Sequence, residues 1–110
     1  MISVLDELTQ VLAQRKSEDP NTSYVASLHA KGLNKILEKI GEESTEVILA
    51  AKDASSRAGT KTEVVRETAD LWFHTMVMLS ELDLSTKDVL DELADRFGVS
   101  GHNEKAARKA

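Results

Sequence analysis

The sequence predicts an all-α fold, on three observations. Only five glycines and one proline interrupt its 110 residues, so long helices are expected. Apolar residues recur every three or four positions, which is typical of helices with one buried face. No stretch alternates between apolar and polar residues as a half-buried strand does. We therefore predict two long antiparallel helices with shorter flanking helices, forming a four-helix-bundle core that homodimerisation completes.

The first helix is predicted from residue 4 onward, where Val4, Leu5, Leu8, Val11 and Leu12 recur at helical spacing. Ser3 and Asp6 resemble an N-terminal cap, and Pro20 ends the helix and opens a loop. A short segment, 23–32, to which we assign no regular structure, then leads into the main helix at about 33–55.

The second half of the chain predicts two further helices. Gly59 suits a turn, and Thr60 with Glu63 has the pattern of a capping box for a helix at about 61–82. Ser85 with Asp88 predicts the start of a last helix, which ends near Gly98. We predict a single domain over residues 1–98 and a polar C-terminal tail over 99–110.

The composition excludes several classes of protein. Apolar residues make up 41% and charged residues 30%, as in globular chains, and the net charge of −5 comes with no basic cluster for nucleic acid. The absence of cysteine excludes disulfides and thiolate metal sites. No apolar run approaches the ~20 residues that span a bilayer, and the N-terminus has no signal-peptide pattern. We expect a cytoplasmic protein without membrane or nucleic-acid partners.

Acidic residues of the main helix lie where a core is expected. At 100° per residue, Glu43 falls inside the apolar stripe that includes Ile36 and Val47. Glu46 and Lys39 lie on one shoulder of that stripe, and Glu42 lies further round. The position of Glu42 fits a helix face that is exposed to solvent, whereas the position of Glu43 fits such a face badly.

The following helix carries a second polar line. The stretch ADLWFHTMVML (69–79) is apolar nearly all round, as in a helix covered on every side, and this favours a homodimer. Glu67, Asp70 and His74 are spaced i, i+3, i+7 and form one line along it. His74 is most simply a core histidine whose hydrogen bonds are satisfied. Tyr24 fits two interpretations equally: it anchors a loop or touches a substrate.

Four carboxylates facing one another would repel and resist ionisation. A divalent cation reverses this effect, and oxygen-only ligands favour Mg²⁺ or Mn²⁺ over zinc. Because Mg²⁺ usually binds a few carboxylates together with substrate phosphates, a polyphosphate substrate is implied. Lys39 points toward the same region and is a candidate for a phosphate contact. The competing interpretation is a helical dimerisation module whose acids are merely solvated.

The residues EESTE (42–46) and ETAD (67–70) resemble the EExxE…ExxD signature of the all-α, MazG-like nucleotide pyrophosphohydrolases. The blocks SYVASLHAKG (23–32) and SGHNEKAARK (100–109) narrow the resemblance to the phosphoribosyl-ATP pyrophosphohydrolases of histidine biosynthesis. The resemblance implies binding of this ATP derivative and its Mg²⁺-dependent hydrolysis to phosphoribosyl-AMP and pyrophosphate. It also points to a homodimer.

The resemblance also implies roles for individual residues. Metal would be held by four acids: Glu43, Glu46, Glu67 and Asp70. Glu42, Glu43 and Glu46 are the candidate catalytic residues, with Glu42 or Glu46 orienting or deprotonating the attacking water. The candidate phosphate-binding residues are Lys31, Lys39 and Lys52. A house-cleaning pyrophosphatase acting on dCTP, dUTP or aberrant nucleotides is the alternative enzyme, because the same acids serve both.

Overall fold

The computed structural model describes residues 3–57 and 60–99, and within them every regular element is an α-helix. The helices are α1 (Val4–Arg15), α2 (Tyr24–Lys31), α3 (Leu33–Ser56), α4 (Lys61–Glu81) and α5 (Thr86–Phe97). The predicted all-α class is therefore confirmed. The predicted turn at Gly59 and most of the predicted polar tail, residues 100–110, lie outside the described residues.

The segment between the first loop and the main helix is itself a helix, where the sequence prediction assigned none. Ser23 begins α2, and its hydroxyl accepts a hydrogen bond from the Ala26 backbone N–H at 3.2 Å. Gly32 separates α2 from α3 with φ of 99°, a backbone conformation that side chains with a Cβ rarely adopt. This glycine lets the chain turn directly from one helix into the next.

The two long helices, α3 and α4, pack against each other and run in opposite directions. Ile36 near the start of α3 and Val77 near the end of α4 are fully buried in one core cluster. That cluster is completed by Met76 of α4, Leu12 of α1 and two α2 residues, Val25 and Leu28. The core thus holds α3 and α4 at a fixed register, which decides which of their polar side chains meet.

The helix starts follow the sequence predictions in two cases out of three. The Ser3 hydroxyl accepts from the Asp6 backbone N–H at 3.1 Å, and the Asp88 carboxylate accepts from the Ser85 backbone N–H at 2.9 Å. The capping box predicted at Thr60 is wrong. The Thr60 hydroxyl instead donates to the Arg57 carbonyl at 3.1 Å, so it satisfies the end of α3 rather than the start of α4.

Much apolar surface is left outside the core of the single chain. Trp72 on α4 is 58% exposed, and α5 exposes most of its apolar side chains. A groove of about 400 Å³ lies between α4, α5 and α1, and it is lined by Leu5, Leu71, Trp72, Thr75, Met76, Leu79, Thr86, Val89, Leu90 and Leu93. Across residues 3–57 and 60–99, no helix is both long and apolar enough to cross a membrane.

Candidate metal centre

The packing of α3 against α4 brings together three of the predicted acids. Carboxylate oxygens of Glu43, Glu67 and Asp70 all lie within 4.8 Å of one another, and we call these three residues the acidic cluster. Glu43 and Glu67 are half-buried, whereas Asp70 is exposed. The arrangement therefore has one open side, through which a ligand can reach the carboxylates.

The cluster forms because of spacing along each helix and the register between them. Glu67 and Asp70 are three residues apart, so their side chains leave the same face of α4. Glu43 lies on the α3 face that contacts α4, two turns beyond buried Ile36 and one turn beyond half-buried Ile40. Since α3 and α4 run in opposite directions, Glu43 comes level with the Glu67–Asp70 turn.

The electrostatics of the cluster are unfavourable for three free carboxylates. Partial desolvation is the main cause that raises the pKa of Glu67 above its usual value. The negative charges of Glu46, Asp70, Glu43 and Glu63 raise the pKa further, in that order. Glu67 thus ionises less readily than an isolated glutamate, and a positive charge beside it would favour its ionised form.

Glu46, the fourth predicted metal ligand, borders the cluster. It is exposed, and it is not part of the group of three whose oxygens lie within 4.8 Å of one another. Among the charged neighbours, however, Glu46 has the largest effect on the pKa of Glu67. We interpret both facts together: the Glu46 carboxylate faces Glu67 from the rim without reaching all three members.

Glu42 and Lys39 form an ion pair next to the cluster. The Lys39 ammonium donates to the Glu42 carboxylate at 3.1 Å, and the Lys39 side chain is 25% exposed. This hydrogen bond is the main cause that raises the pKa of Lys39, followed by the Tyr24 oxygen, and Glu43 contributes as well. Lys39 is therefore a fixed positive charge beside the acids, and the Glu42 carboxylate faces this lysine.

The other two predicted phosphate-binding residues form no ion pair with these acids in the described part of the chain. Lys31 at the end of α2 and Lys52 near the end of α3 are exposed, and neither forms an ion pair within residues 3–57 and 60–99. At 100° per residue, Lys52 lies on the opposite side of α3 from Glu43. The structure thus brings Lys39 to the cluster and does not bring Lys52 there.

His74 and Tyr24 connect α2 to α4 beside the cluster. His74 is 5% exposed; its Nδ1–H donates to the Asp70 backbone carbonyl at 2.9 Å, and Nε2 lies 2.9 Å from the Tyr24 hydroxyl. Both ring nitrogens are therefore satisfied, as predicted for a core histidine. The hydrogen bond from Tyr24 favours the anchoring interpretation. The sequence offered no signal for this pairing, since the residues are 50 positions apart and α2 was not predicted.

The chemistry of the donor set fits a hard divalent cation. All ligand atoms are carboxylate oxygens, and Mg²⁺ prefers oxygen ligands at about 2.0–2.1 Å in an octahedral arrangement. Two such ligands on opposite sides of the ion are about 4.2 Å apart. The 4.8 Å limit on the oxygen separations is close to that span, so small side-chain adjustments suffice to close the site.

A known protein family matches the chain over most of its length. The sequence model described as phosphoribosyl-ATP pyrophosphohydrolase matches residues 5–97, which include all five helices except the first residue of α1. The match covers most of the chain and contains the whole acidic cluster together with Glu46, Lys39 and Tyr24. The chain belongs to the phosphoribosyl-ATP pyrophosphohydrolase family.

Proposed function

We propose that this pyrophosphohydrolase depends on Mg²⁺ held by the acidic cluster of Glu43, Glu67 and Asp70. Family membership gives the reaction, hydrolysis of phosphoribosyl-ATP in histidine biosynthesis. The observation that supports the metal is the convergence of three carboxylates within 4.8 Å, two of them half-buried. Such a cluster is unfavourable alone and favourable around a divalent cation. Mn²⁺, which takes the same oxygen ligands, should substitute.

The bound ion would supply charge neutralisation of the triphosphate and a lower pKa for the attacking water. The exposed carboxylate of Asp70 leaves one side of the site open to the solvent. Because Mg²⁺ usually keeps several non-protein ligands, this open side suits the oxygens of the α and β phosphates. Hydrolysis of the α–β linkage then gives phosphoribosyl-AMP and pyrophosphate.

Lys39 is the phosphate contact that the geometry favours among the three lysines. It lies one helical turn before Glu43, and its ammonium is held by the Glu42 carboxylate. A lysine has three N–H donors, so this ion pair leaves others free for a phosphate oxygen. Its positive charge would offset the negative charge that the cluster and the triphosphate bring together.

Glu46 is the better candidate for the general base. The carboxylate of Glu42 already accepts a charge-assisted hydrogen bond from the Lys39 ammonium, which occupies one of its oxygens. Glu46 is exposed at the rim and faces Glu67, with no hydrogen bond from a described side chain. We therefore propose that a Glu46 carboxylate oxygen accepts a proton from the attacking water.

We further propose that two copies of the chain associate, in the cytoplasm, through the groove between α4 and α5. The groove is apolar, and Trp72 at its edge is 58% exposed in the single chain. Exposed aromatic and aliphatic side chains in one contiguous patch are typical of subunit interfaces. A second copy would cover this face and complete a four-helix core.

Pyrophosphate release from phosphoribosyl-ATP, with Mg²⁺ and with EDTA, tests the proposal. We expect turnover with Mg²⁺, none with EDTA, and restoration by Mn²⁺. Glu43→Gln keeps the shape of the side chain but removes its charge, so activity should fall at least about 10–100-fold, since even groups that orient metal ligands contribute that much. Undiminished turnover in EDTA contradicts the metal dependence. Faster hydrolysis of dCTP or dUTP than of phosphoribosyl-ATP contradicts the assignment of phosphoribosyl-ATP as the substrate.

A further inference from the structure

The hydroxyl of Tyr24 is fully engaged by its contact with His74. A backbone carbonyl only accepts hydrogen bonds, so the 2.9 Å contact with the Asp70 carbonyl places a proton on His74 Nδ1. Nε2 of the neutral ring is then an acceptor, and the Tyr24 O–H donates to it across 2.9 Å. The hydroxyl has no proton left for a phosphate, and its lone pairs would repel one. The ring is therefore what Tyr24 can offer a nucleotide.

The ring of Tyr24 is held in place although the residue is half exposed. The ring stacks against Phe73, with the centroids 6.2 Å apart and the planes at 21°. It also packs against His74 edge-on, with the centroids 5.8 Å apart. Even so, 51% of the residue's surface stays open to solvent. Such a ring is a preorganised surface for stacking, because it loses little conformational freedom when a second ring binds.

This ring lies one helical turn from the acidic cluster. The His74 ring and two hydrogen bonds of 2.9 Å are all that separates the Tyr24 oxygen from the Asp70 carbonyl. One turn rises about 5.4 Å, and the ribose that joins the α phosphate of ATP to its base spans a comparable length. One turn in the opposite direction along α4, Glu63 and Arg66 form an exposed ion pair at 2.9 Å. The apolar faces of a base are therefore better matched on the Tyr24 side.

The other aromatic residues of the chain are not available to a nucleotide at the cluster. The sequence has one tyrosine, one tryptophan and two phenylalanines. Phe73 is the residue on which the Tyr24 ring stacks. Trp72 lines the groove beside α5, and Phe97 ends α5, a helix that carries none of the clustered acids. Tyr24 is thus the aromatic residue with an open surface beside the acids.

We propose that the exposed surface of the Tyr24 ring stacks on the adenine base of phosphoribosyl-ATP and so contributes to substrate binding. The inference rests on the proposed binding of the substrate phosphates at the acidic cluster. Offset stacking of two aromatic rings is favourable and buries apolar surface of both. Every base has a π face, so this contact selects nucleotides over phosphates that carry no base.

Comparison of Tyr24→Leu with Tyr24→Phe tests this proposal, because both variants lose the hydrogen bond to His74 and only leucine loses the ring. Tyr24 lies outside the buried core cluster, so both variants should fold. Base stacking on an aromatic side chain is worth about 5- to 150-fold in affinity. We expect KM for phosphoribosyl-ATP to be at least about 5-fold higher in Tyr24→Leu than in Tyr24→Phe. The kcat values should agree within about 2-fold, because stacking stabilises the bound substrate and the transition state alike.

Product inhibition separates the loss of stacking from a distorted phosphate site. Pyrophosphate has no base, so its inhibition constant should agree within about 2-fold between the two variants. Phosphoribosyl-AMP carries the base, so its inhibition constant should rise in Tyr24→Leu by about the same factor as KM. The ratio of the two inhibition constants therefore reports on the base alone.

Three outcomes overturn the inference. The first is an equal KM in the two variants, and the second is a lower kcat in Tyr24→Leu at an unchanged KM. The third is an equal loss of inhibition by both products, which means that leucine disturbs the phosphate site. All three leave the Mg²⁺ dependence of turnover intact. Turnover in EDTA refutes the proposed metal instead, because the two KM values can still be compared.

Discussion

Glu67 is the residue whose ionisation reports most directly on the acidic cluster. Desolvation and four neighbouring carboxylates raise its pKa above the ordinary 4.5. The folded state therefore binds the Glu67 proton more tightly than the unfolded state does. This contribution to stability is fully present below pH 4.5 and is lost as the pH rises through the raised pKa of the folded protein.

Glu67→Gln should therefore become more stable than the wild type, in EDTA, as the pH rises. The neutral amide removes both the desolvation cost of the charge and the repulsion at every pH, so the difference in the free energy of unfolding should grow above pH 4.5 and then level off. Urea unfolding of both proteins across this range measures the difference. If the difference stayed constant with pH, or if the wild type became more stable relative to the variant as the pH rose, neither desolvation nor repulsion would disfavour the ionised form of Glu67.

The acids could be predicted from the sequence, but the pairings around them could not. Glu43 was recognised because a charge inside an apolar stripe violates helical amphipathicity. The Lys39–Glu42 and Tyr24–His74 hydrogen bonds depend on rotamers and on the approach of α2, which no spacing along the chain encodes. The exclusion of Glu46 from the three-residue cluster likewise depends on the register of α3 against α4.

At the scale of the elements, the long helices could be predicted and the short one could not. Helices α3 and α4 have many periodic apolar positions, and the predicted ends differ from the observed ends by one residue. Helix α2 has eight residues, too few for a period to be distinguished from chance. It is stabilised by tertiary contacts: His29 Nδ1 lies 2.6 Å from a Glu81 carboxylate oxygen at the end of α4.

The wrong prediction of a capping box at Thr60 shows a second limit of local sequence patterns. Thr60 and Glu63 have the residue types and the spacing of a capping box, yet the Thr60 hydroxyl donates backward to Arg57. A serine or threonine at a short connection can bond either helix end, because the hydroxyl both donates and accepts. The connection here is short enough for the end of α3 to compete with the start of α4.

At the scale of the whole molecule, the exposed apolar groove predicts association. A charge at its edge should separate the subunits: we expect Trp72→Glu to raise the dimer Kd at least about 30-fold, the loss of about 2 kcal/mol that marks an important interface tryptophan. Sedimentation equilibrium measures this change. Gln10→Glu on the exposed side of α1 adds the same charge and should leave the dimer intact. A monomeric wild type, or a Trp72→Glu dimer of unchanged affinity, contradicts the proposed interface.

Joint binding of a hard cation by acids of α3 and α4 underlies the proposed function, and direct Mn²⁺ binding to the metal-free protein tests it most simply. Electron paramagnetic resonance of the free ion gives the affinity without substrate or turnover. We predict a saturable site in the wild type and in Glu38→Gln, whose carboxylate pairs with Lys35 away from the cluster. Glu67→Gln should weaken binding at least about 10–100-fold. Equal Mn²⁺ titrations for the wild type and Glu67→Gln, or no binding by the wild type, would contradict the account.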